Sequence, residues 1–431
     1  MKNKLILLGL NELNFNYIEH YIDLGYFENF KRIFEEYGYS ETTSEDEYRL
    51  LEPWIQWVTV HTGKKYNEHK VFRLGDIVKR KDLKQIFEIA EEKGYSVGAV
   101  SPFNADNRLK KPKFFVPDPW TKTKASGDKF IKDVSQAVSQ AVNDNAQEKV
   151  SKSSIFAILK TFLRTVPLSS YGQYLKLVAS IKSKVGIKAV VLDKLLGDIF
   201  IHQWKKHQPD FSNLFLNTGA HFQHHYMFNS SAYEGKFKNP DWYCPENEDP
   251  LFMILNEYDK IIGRLLKLGT RLIVCTGLHQ KPHKHNTFYW RLKDHQSFLE
   301  KKLGIRGIKE LTPRMSRDFL IEFISEADAL EAQNILEKYV AEKDRTKIFT
   351  VDNRKESLFV ELTYPNDIDD SFTILADNNK ISNFRKNIAF VAIKNGEHHT
   401  IGYYIDTMNK VKNAENTIPL SQVFDNLVAS L

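Results

Sequence analysis

The chain has 431 residues, of which 42% are apolar, 27% charged and 13% aromatic, and a formal charge of +6. This balance excludes a mainly disordered chain and a globally basic nucleic-acid binder. Two cysteines, Cys244 and Cys275, are too few for a disulfide framework or a cysteine-rich zinc module and suit a reducing compartment.

In chain order, KLILLGL at residues 4–10 reads as a buried strand, ended by polar Asn11 and Glu12. It is too short for a signal-peptide core, and no run of about 18 apolar residues could span a membrane, so the expected location is cytoplasmic or membrane-peripheral. A helix with Phe15, Ile18, Tyr21, Ile22 and Leu24 follows. Pro53 opens a second helix, to His61, since proline fits the first helical turn. Residues 84–93 read as a helix, Ser96–Val100 as a strand, and Ser101-Pro102 as its end. Residues from about 122 to 208 are helical throughout. Strands resume at 213–217, and a helix at 251–268 precedes the strand RLIVCTG at 271–277. From Arg317 the pattern is strand, helix (327–341), strand, turn, strand, a compact β-α-β-β unit. Residues 388–393 and 401–405 read as strands returning to the main sheet.

This alternation predicts an α/β protein with a central, mainly parallel sheet. Its core draws on residues 1–120, 208–300 and 385–431. A helical basic insertion occupies 121–207 and a small α+β cap subdomain 301–384. Between Lys149 and Leu192 there are eight Lys and Arg and no acidic residue. Such a helical segment either packs its apolar side on the core or makes peripheral contact with an anionic membrane.

Three stretches resemble the alkaline phosphatase superfamily, especially its type I phosphodiesterase and nucleotide-pyrophosphatase branch. LILLGLNEL matches a strand ending in Gly-x-Asp-Gly, and PWIQWVTVHTGKKYNEHKV matches a helix leading into Thr-Gly-x-x-Pro-x-x-His-Gly. NEYDKIIGRLLKLGTRLIVCTG matches a helix and then a strand ending in Ser-Asp-His. Between them, LNTGAHFQHHYM resembles a strand end that supplies an Asp and, four residues on, a His. The resemblance implies an alkaline-phosphatase-like central sheet flanked by helices, with the helical insertion and the β-α-β-β cap added. Two metal ions and a Thr or Ser nucleophile would be expected. In this chain the first Asp falls on Asn11 and the nucleophile on Glu52-Pro53. The next Asp falls on Ala220, with its partner His kept as His224, and the Asp-His pair falls on Gly277-Leu278. A one-residue shift places His221 and His225 at the ligand positions instead.

The candidate catalytic residues are accordingly Glu52, Asn11 and Glu12. As the expected N-cap, Glu52 would sit at a helix end that favours anions, where a carboxylate can serve as base, nucleophile or metal ligand. His221, His224, His225, His279 and His399 are candidate ligands for zinc or another divalent metal, because each follows a predicted strand and imidazole suits such ions. His224 and at least one of the others should share a cleft with Asn11 and Glu52. Asn104, in SPFNADN, and Arg314 and Arg317, in RMSRD, are candidate substrate contacts. Two functions follow. One is a hydrolase or transferase acting on a small-molecule or glycan phosphate ester (a nucleotide, sugar-phosphate or nucleotide-sugar), with non-standard metal ligation. The other is a non-catalytic or metal-free descendant that binds a ligand, glycan or membrane-associated partner. Neither involves nucleic acid.

Overall fold

The structure, a computed structural model, describes residues 4–146, 152–181, 183–314, 317–377, 379–411 and 417–431. The chain divides into two compact units. Met1–Lys236, Pro240–Pro282 and Gly396–Leu431 form the first; Phe237–Asn239 and His283–Asn395 form the second.

The strands, in chain order, are β1 (Leu5–Leu10), β2 (Ser40–Thr43), β3 (Val97–Val100), β4 (Phe114–Val116), β5 (Phe211–Leu216), β6 (Arg271–Cys275), β7 (His279–Leu292), β8 (Ile308–Pro313), β9 (Asp318–Phe323), β10 (Val340–Ala341), β11 (Phe349–Asn353), β12 (Ser357–Leu362), β13 (Ile374–Ala376), β14 (Asn379–Ile381), β15 (Ile388–His399), β16 (Ile401–Asp406) and β17 (Ile418–Pro419). The helices are α1 (Phe15–Asp23), α2 (Glu28–Tyr37), α3 (Pro53–Thr62), α4 (Tyr66–His69), α5 (Ile86–Glu92), α6 (Lys129–Ala146), α7 (Lys152–Thr165), α8 (Tyr171–Ala179), α9 (Ile187–His207), α10 (Thr218–Tyr226), α11 (Pro250–Leu266), α12 (His295–Ser297), α13 (Glu326–Leu336) and α14 (Gln422–Ser430).

The first unit is built on an eight-stranded sheet ordered β17-β2-β16-β6-β1-β5-β3-β4. From β6 to β4 all neighbours are parallel, whereas β16 runs antiparallel to both β6 and β2. LILLGL is apolar at nearly every position because β1 lies at the centre and is buried on both faces, as parallel strands are. Successive side chains point to opposite faces. Ile6, Leu8 and Leu10 therefore join the layer of α1, α2, α9 and α11, while Leu5 and Leu7 join the layer of α3, α5 and α14. Gly9 interrupts the run where a Cβ would lie 2.6 Å from the Trp57 ring and 2.7 Å from Phe215. Its missing side chain lets the α3 indole close onto the sheet.

The test of the fold expectation is met: residues 4–10 and 271–276 do belong to one sheet, with Leu5 paired to Arg271 and Gly9 to Cys275. Three details differ. The short strands β2, β4 and β17, at or next to the ends of the sheet, carry too few apolar residues, or are too brief, to stand out by pattern. Residues 388–393 do not return to the main sheet; β15 pairs with β7 in a two-stranded ribbon, and only β16 returns. The Lys149–Leu192 helices are not a separate appendage, since Val166, Tyr174 and Val190 within them are buried in the main core. Lys149 and Lys182 of the basic segment lie outside the described residues.

The second unit holds the expected strand-helix-strand-strand pattern as β9, α13, β11 and β12. The sheet order is β11-β12-β9-β8, with β8 added on the edge beside β9. The helix is shorter than expected, ending at Leu336, and Val340–Ala341 form the separate strand β10.

Candidate metal centre

Parallel strands deliver the residues after their carboxyl ends to one edge of the sheet. Here β1 delivers Asn11 and Glu12, β5 delivers Asn217 and α10, and β6 delivers Thr276 to Gln280. Antiparallel β16 starts at the same edge, so His398, three residues before it, arrives there too. At this edge Glu12 Oε2 lies 3.0 Å from His224 Nε2 and 3.0 Å from His398 Nε2, and the two imidazole nitrogens are 3.2 Å apart. Among the described residues this is the one group of three metal-capable side chains whose donor atoms all lie within 4.8 Å.

The spacing bears on whether a metal ion fits. Bonds of about 2.0–2.2 Å around a tetrahedral ion separate ligand atoms by roughly 3.3–3.6 Å, and an octahedral face brings them slightly closer. The observed triangle, 3.0–3.2 Å on each side, is tighter than the tetrahedral separation and close to that of an octahedral face. Hydrogen bonding alone satisfies it poorly. Each Nε2 carries at most one proton, yet each faces both a carboxylate oxygen and another Nε2. Two histidines and one carboxylate are a proven donor set for zinc and for ferrous iron, and they leave coordination positions open. The residues present therefore fit a divalent ion.

A polar scaffold fixes the carboxylate. Glu12 has φ +58°, a left-handed conformation costly for a residue with a long side chain, and here it turns the carboxylate into the site. Asn11 Nδ2 donates to Glu12 Oε1 at 3.0 Å and to Asn217 Oδ1 at 2.7 Å, while Asn11 Oδ1 accepts from Trp57 Nε1 at 2.8 Å. Gln280 Nε2 donates to Glu12 Oε2 at 2.6 Å, and Gln223 Nε2 to the Glu12 carbonyl at 2.6 Å. Burial alone would raise the Glu12 carboxyl, but His398 and His224 beside it hold it well below the usual carboxylate range.

Glu52 is the N-cap of α3, with Pro53 at the first helical position, as the sequence implies. Its side chain makes no capping hydrogen bond. Instead its carboxylate lies 3.9 Å from His398 Nδ1, the nitrogen facing away from the donor triangle. That is an ion-pair distance, longer than a hydrogen bond. Glu52 is 31% exposed and His224 28%, against 2% for Glu12, so the centre is partly open to solvent.

The structure brings Glu12, Asn11, Glu52 and His224 together and replaces the other expected ligands. On α10, His221 and His225 are one turn apart and contact each other, with ring centroids 4.7 Å apart; His224 turns to Glu12 instead. Of the three α10 histidines it is therefore His224 that lies beside Glu12. His279 and His399 stack on each other at 4.8 Å, and His279 also stacks on Tyr403. None of these four histidines belongs to the donor triangle. The third member of the triangle is His398, the sequence neighbour of His399. Asn104 is not a free substrate contact either: it is fully buried, its Oδ1 accepts from Gly75 N and its Nδ2 donates to the Trp54 carbonyl. Arg317, in the second unit, pairs with Glu361 at 3.3 Å and stacks over Tyr289, while Arg314 is exposed there. Met315 and Ser316 between them lie outside the described residues. Gln223 and Gln280 had no sequence signal, because buried glutamines follow no ligand motif.

No family model and no curated protein matches the chain. Among solved structures, it is similar to phosphonoacetate hydrolase from Sinorhizobium meliloti 1021 in complex with phosphonoacetate. That likeness covers 100% of this chain and 96% of the other, with TM-score 0.48 and 14% identity. It is also similar to human ectonucleotide pyrophosphatase/phosphodiesterase 5, over 99% and 94% of the two chains, with TM-score 0.44 and 11% identity. For the alkaline phosphatase from the Antarctic bacterium TAB5 the coverage is 100% and 98%, the TM-score 0.41 and the identity 11%. At such identities no residue's role carries across, and the chemistry of the site rests on this chain's own side chains.

Proposed function

We propose that the chain is a hydrolase of phosphate-type esters that works with a single divalent metal ion held by Glu12, His224 and His398. The observation that carries this reading is the convergence of three donor atoms at ligand-to-ligand spacing. The resemblance of the sequence to a superfamily of phosphoester enzymes supports the substrate class. When bound, the ion supplies Lewis-acid polarisation of an ester oxygen. The chain's own residues do the rest. Asn11 and Gln280 hold the Glu12 carboxylate by its two oxygens. Glu52, beside His398 Nδ1, offers a partly exposed carboxylate for proton transfer. In hydrolysis the water oxygen bonds to phosphorus as Glu52 takes the water proton; the ester P–O bond breaks with its electron pair on the alcohol oxygen, and that oxygen then takes the proton from Glu52 and leaves as the alcohol. With no Thr or Ser at the start of α3, direct attack by water is the simplest route. A sugar or other hydroxyl in place of water would make the same site a transferase.

A metal-free binding protein is the second reading. One observation favours it: Asn11 and Gln280 already occupy both Glu12 carboxylate oxygens. Metal analysis of the purified protein, with an activity screen on nucleotide, sugar-phosphate and nucleotide-sugar esters, separates the two. The hydrolase reading expects about one ion per chain, lost in Glu12→Gln. In Glu52→Gln, turnover should fall about 100-fold or more while the ion is retained. Absence of both ion and turnover in the wild type would replace it with the binding protein.

A further inference from the structure

Thirteen large apolar side chains are strongly exposed among the described residues, and five of them fall within twenty residues of one another: Leu159, Leu163, Leu168, Leu175 and Val178, at 51–81% exposure. They lie on α7, α8 and the turn between. The two helices pack through Phe162, whose ring meets Tyr171 at 4.9 Å and Tyr174 at 4.8 Å, so the leucines are not needed to join them. Exposed Lys160, Arg164, Lys176, Lys184 and Lys188 lie in the same stretch, and no acidic residue occurs between Lys149 and Leu192. Lys160 already pairs with Asp133 and Arg164 covers the Phe130 ring, which leaves the lysines of α8 and the start of α9 as the outward charge.

We infer that the α7–α8 hairpin docks this protein on an anionic lipid bilayer surface. The charge names the occupant. A second copy of the chain would set one basic hairpin against another. A protein interface of this size would draw on Trp, Tyr and Arg as anchors, whereas leucine and valine are uncommon there. Single-stranded nucleic acid would call for exposed aromatic rings to stack its bases, and the exposed apolar groups here are all aliphatic. Aliphatic side chains that enter the acyl boundary, ringed by lysines at headgroup level, are the composition of an interfacial helix. No described helix is long and apolar enough to cross a membrane, so the contact is peripheral. The inference is independent of the metal centre.

Co-sedimentation of the full chain with vesicles tests it. Vesicles of phosphatidylcholine with about a third phosphatidylserine should bind at least about tenfold more protein than pure phosphatidylcholine, and added salt should weaken the binding. Leu163→Glu with Leu168→Glu should remove most of that binding while melting temperature and metal content stay as in the wild type. Lys176→Gln with Lys184→Gln should reduce it too, and serves as the test if the leucine variants misfold. Equal binding to both vesicle types, or none to either, would overturn the proposal. So would a concentration-dependent dimer that Leu168→Glu dissolves.

Discussion

Two buried polar clusters of this chain are nearly equally dry and oppositely paired. Between α9 and α11, Lys194 Nζ lies 3.1 Å from Glu257 and 3.7 Å from Asp198. Arg264 also pairs with Asp198, and the Tyr174 hydroxyl donates to Asp198 at 2.6 Å. There every negative group meets a cation or a donor, and the cluster is complete in itself. At the sheet edge the carboxylate of Glu12 meets two imidazole nitrogens that also face each other, and only a shared cation or extra protons complete it. Burial alone does not distinguish a structural cluster from a functional one; the balance of donors and acceptors does. Asp193 adjoins both clusters. It neighbours Lys194 in sequence, and its carboxylate accepts from Thr218 N at 2.8 Å, at the start of the helix that carries His224.

The strongest test of that contrast is Lys194→Met. It leaves Glu257 and Asp198 buried with one cation fewer, and stability should fall by about 3 kcal/mol with metal content unchanged. Denaturant titration and metal analysis check the two halves. Loss of metal along with stability would show that Asp193 couples the clusters and that they are not independent.

A third kind of buried group sharpens the comparison. His61 is 1% exposed against Trp57 and Phe87, and neither ring nitrogen has a hydrogen-bond partner. Burial pushes its imidazole down to about 3, so the folded chain keeps it neutral where the unfolded chain, at about 6.5, takes up a proton. Stability from this group is full above pH 6.5 and is lost as pH falls toward 3. At pH 5 the loss is about 2 kcal/mol. Wild type minus His61→Phe, measured by denaturant midpoint at pH 7 and pH 5, should show that difference. Parallel pH curves for the two proteins would refute it.

The smallest expected effect probes the scaffold of the open cluster. A Cβ at Gly396 would lie 2.1 Å from Gln280 Oε1 and 2.7 Å from the Gln223 carbonyl. Gly396→Ala should therefore push Gln280 off Glu12, costing about 1–2 kcal/mol of stability and about tenfold in metal affinity. Competition with a chelator reads the second quantity. Unchanged affinity would mean that Gln280 does not hold the carboxylate.

The sheet was readable because its central strands are continuous apolar runs, LILLGL and RLIVC, which only a doubly covered strand needs. SETT at β2, second from one edge, and the two-residue edge strand β17 carry no such signal. At the site, sequence located the right segments and missed the phase within them. His398 and His399 are adjacent on β15 and point to opposite sides, so choosing between them requires knowing which face meets the sheet edge. The same holds for His224 against His221 and His225, which are separated by rotation around one helix. Asn104 looked like a site residue because it sits in a polar loop after a strand. Its amide is consumed by the loop itself, a bond pattern that single-residue chemistry does not foretell.

The place of β1 in the sheet has a consequence for the timing of synthesis. Leu5 pairs with Phe211 on one side and Arg271 on the other. At about 5–20 residues per second, a partner about 200 residues downstream emerges from the ribosome roughly 10–40 s after β1 does. Through that interval this apolar strand, buried at every position in the finished fold, has both edges unpaired, with Trp57 of α3 among the few early groups able to cover it. Slow codons or a holding chaperone in the first half of the message would therefore act on yield without touching any residue of the finished fold.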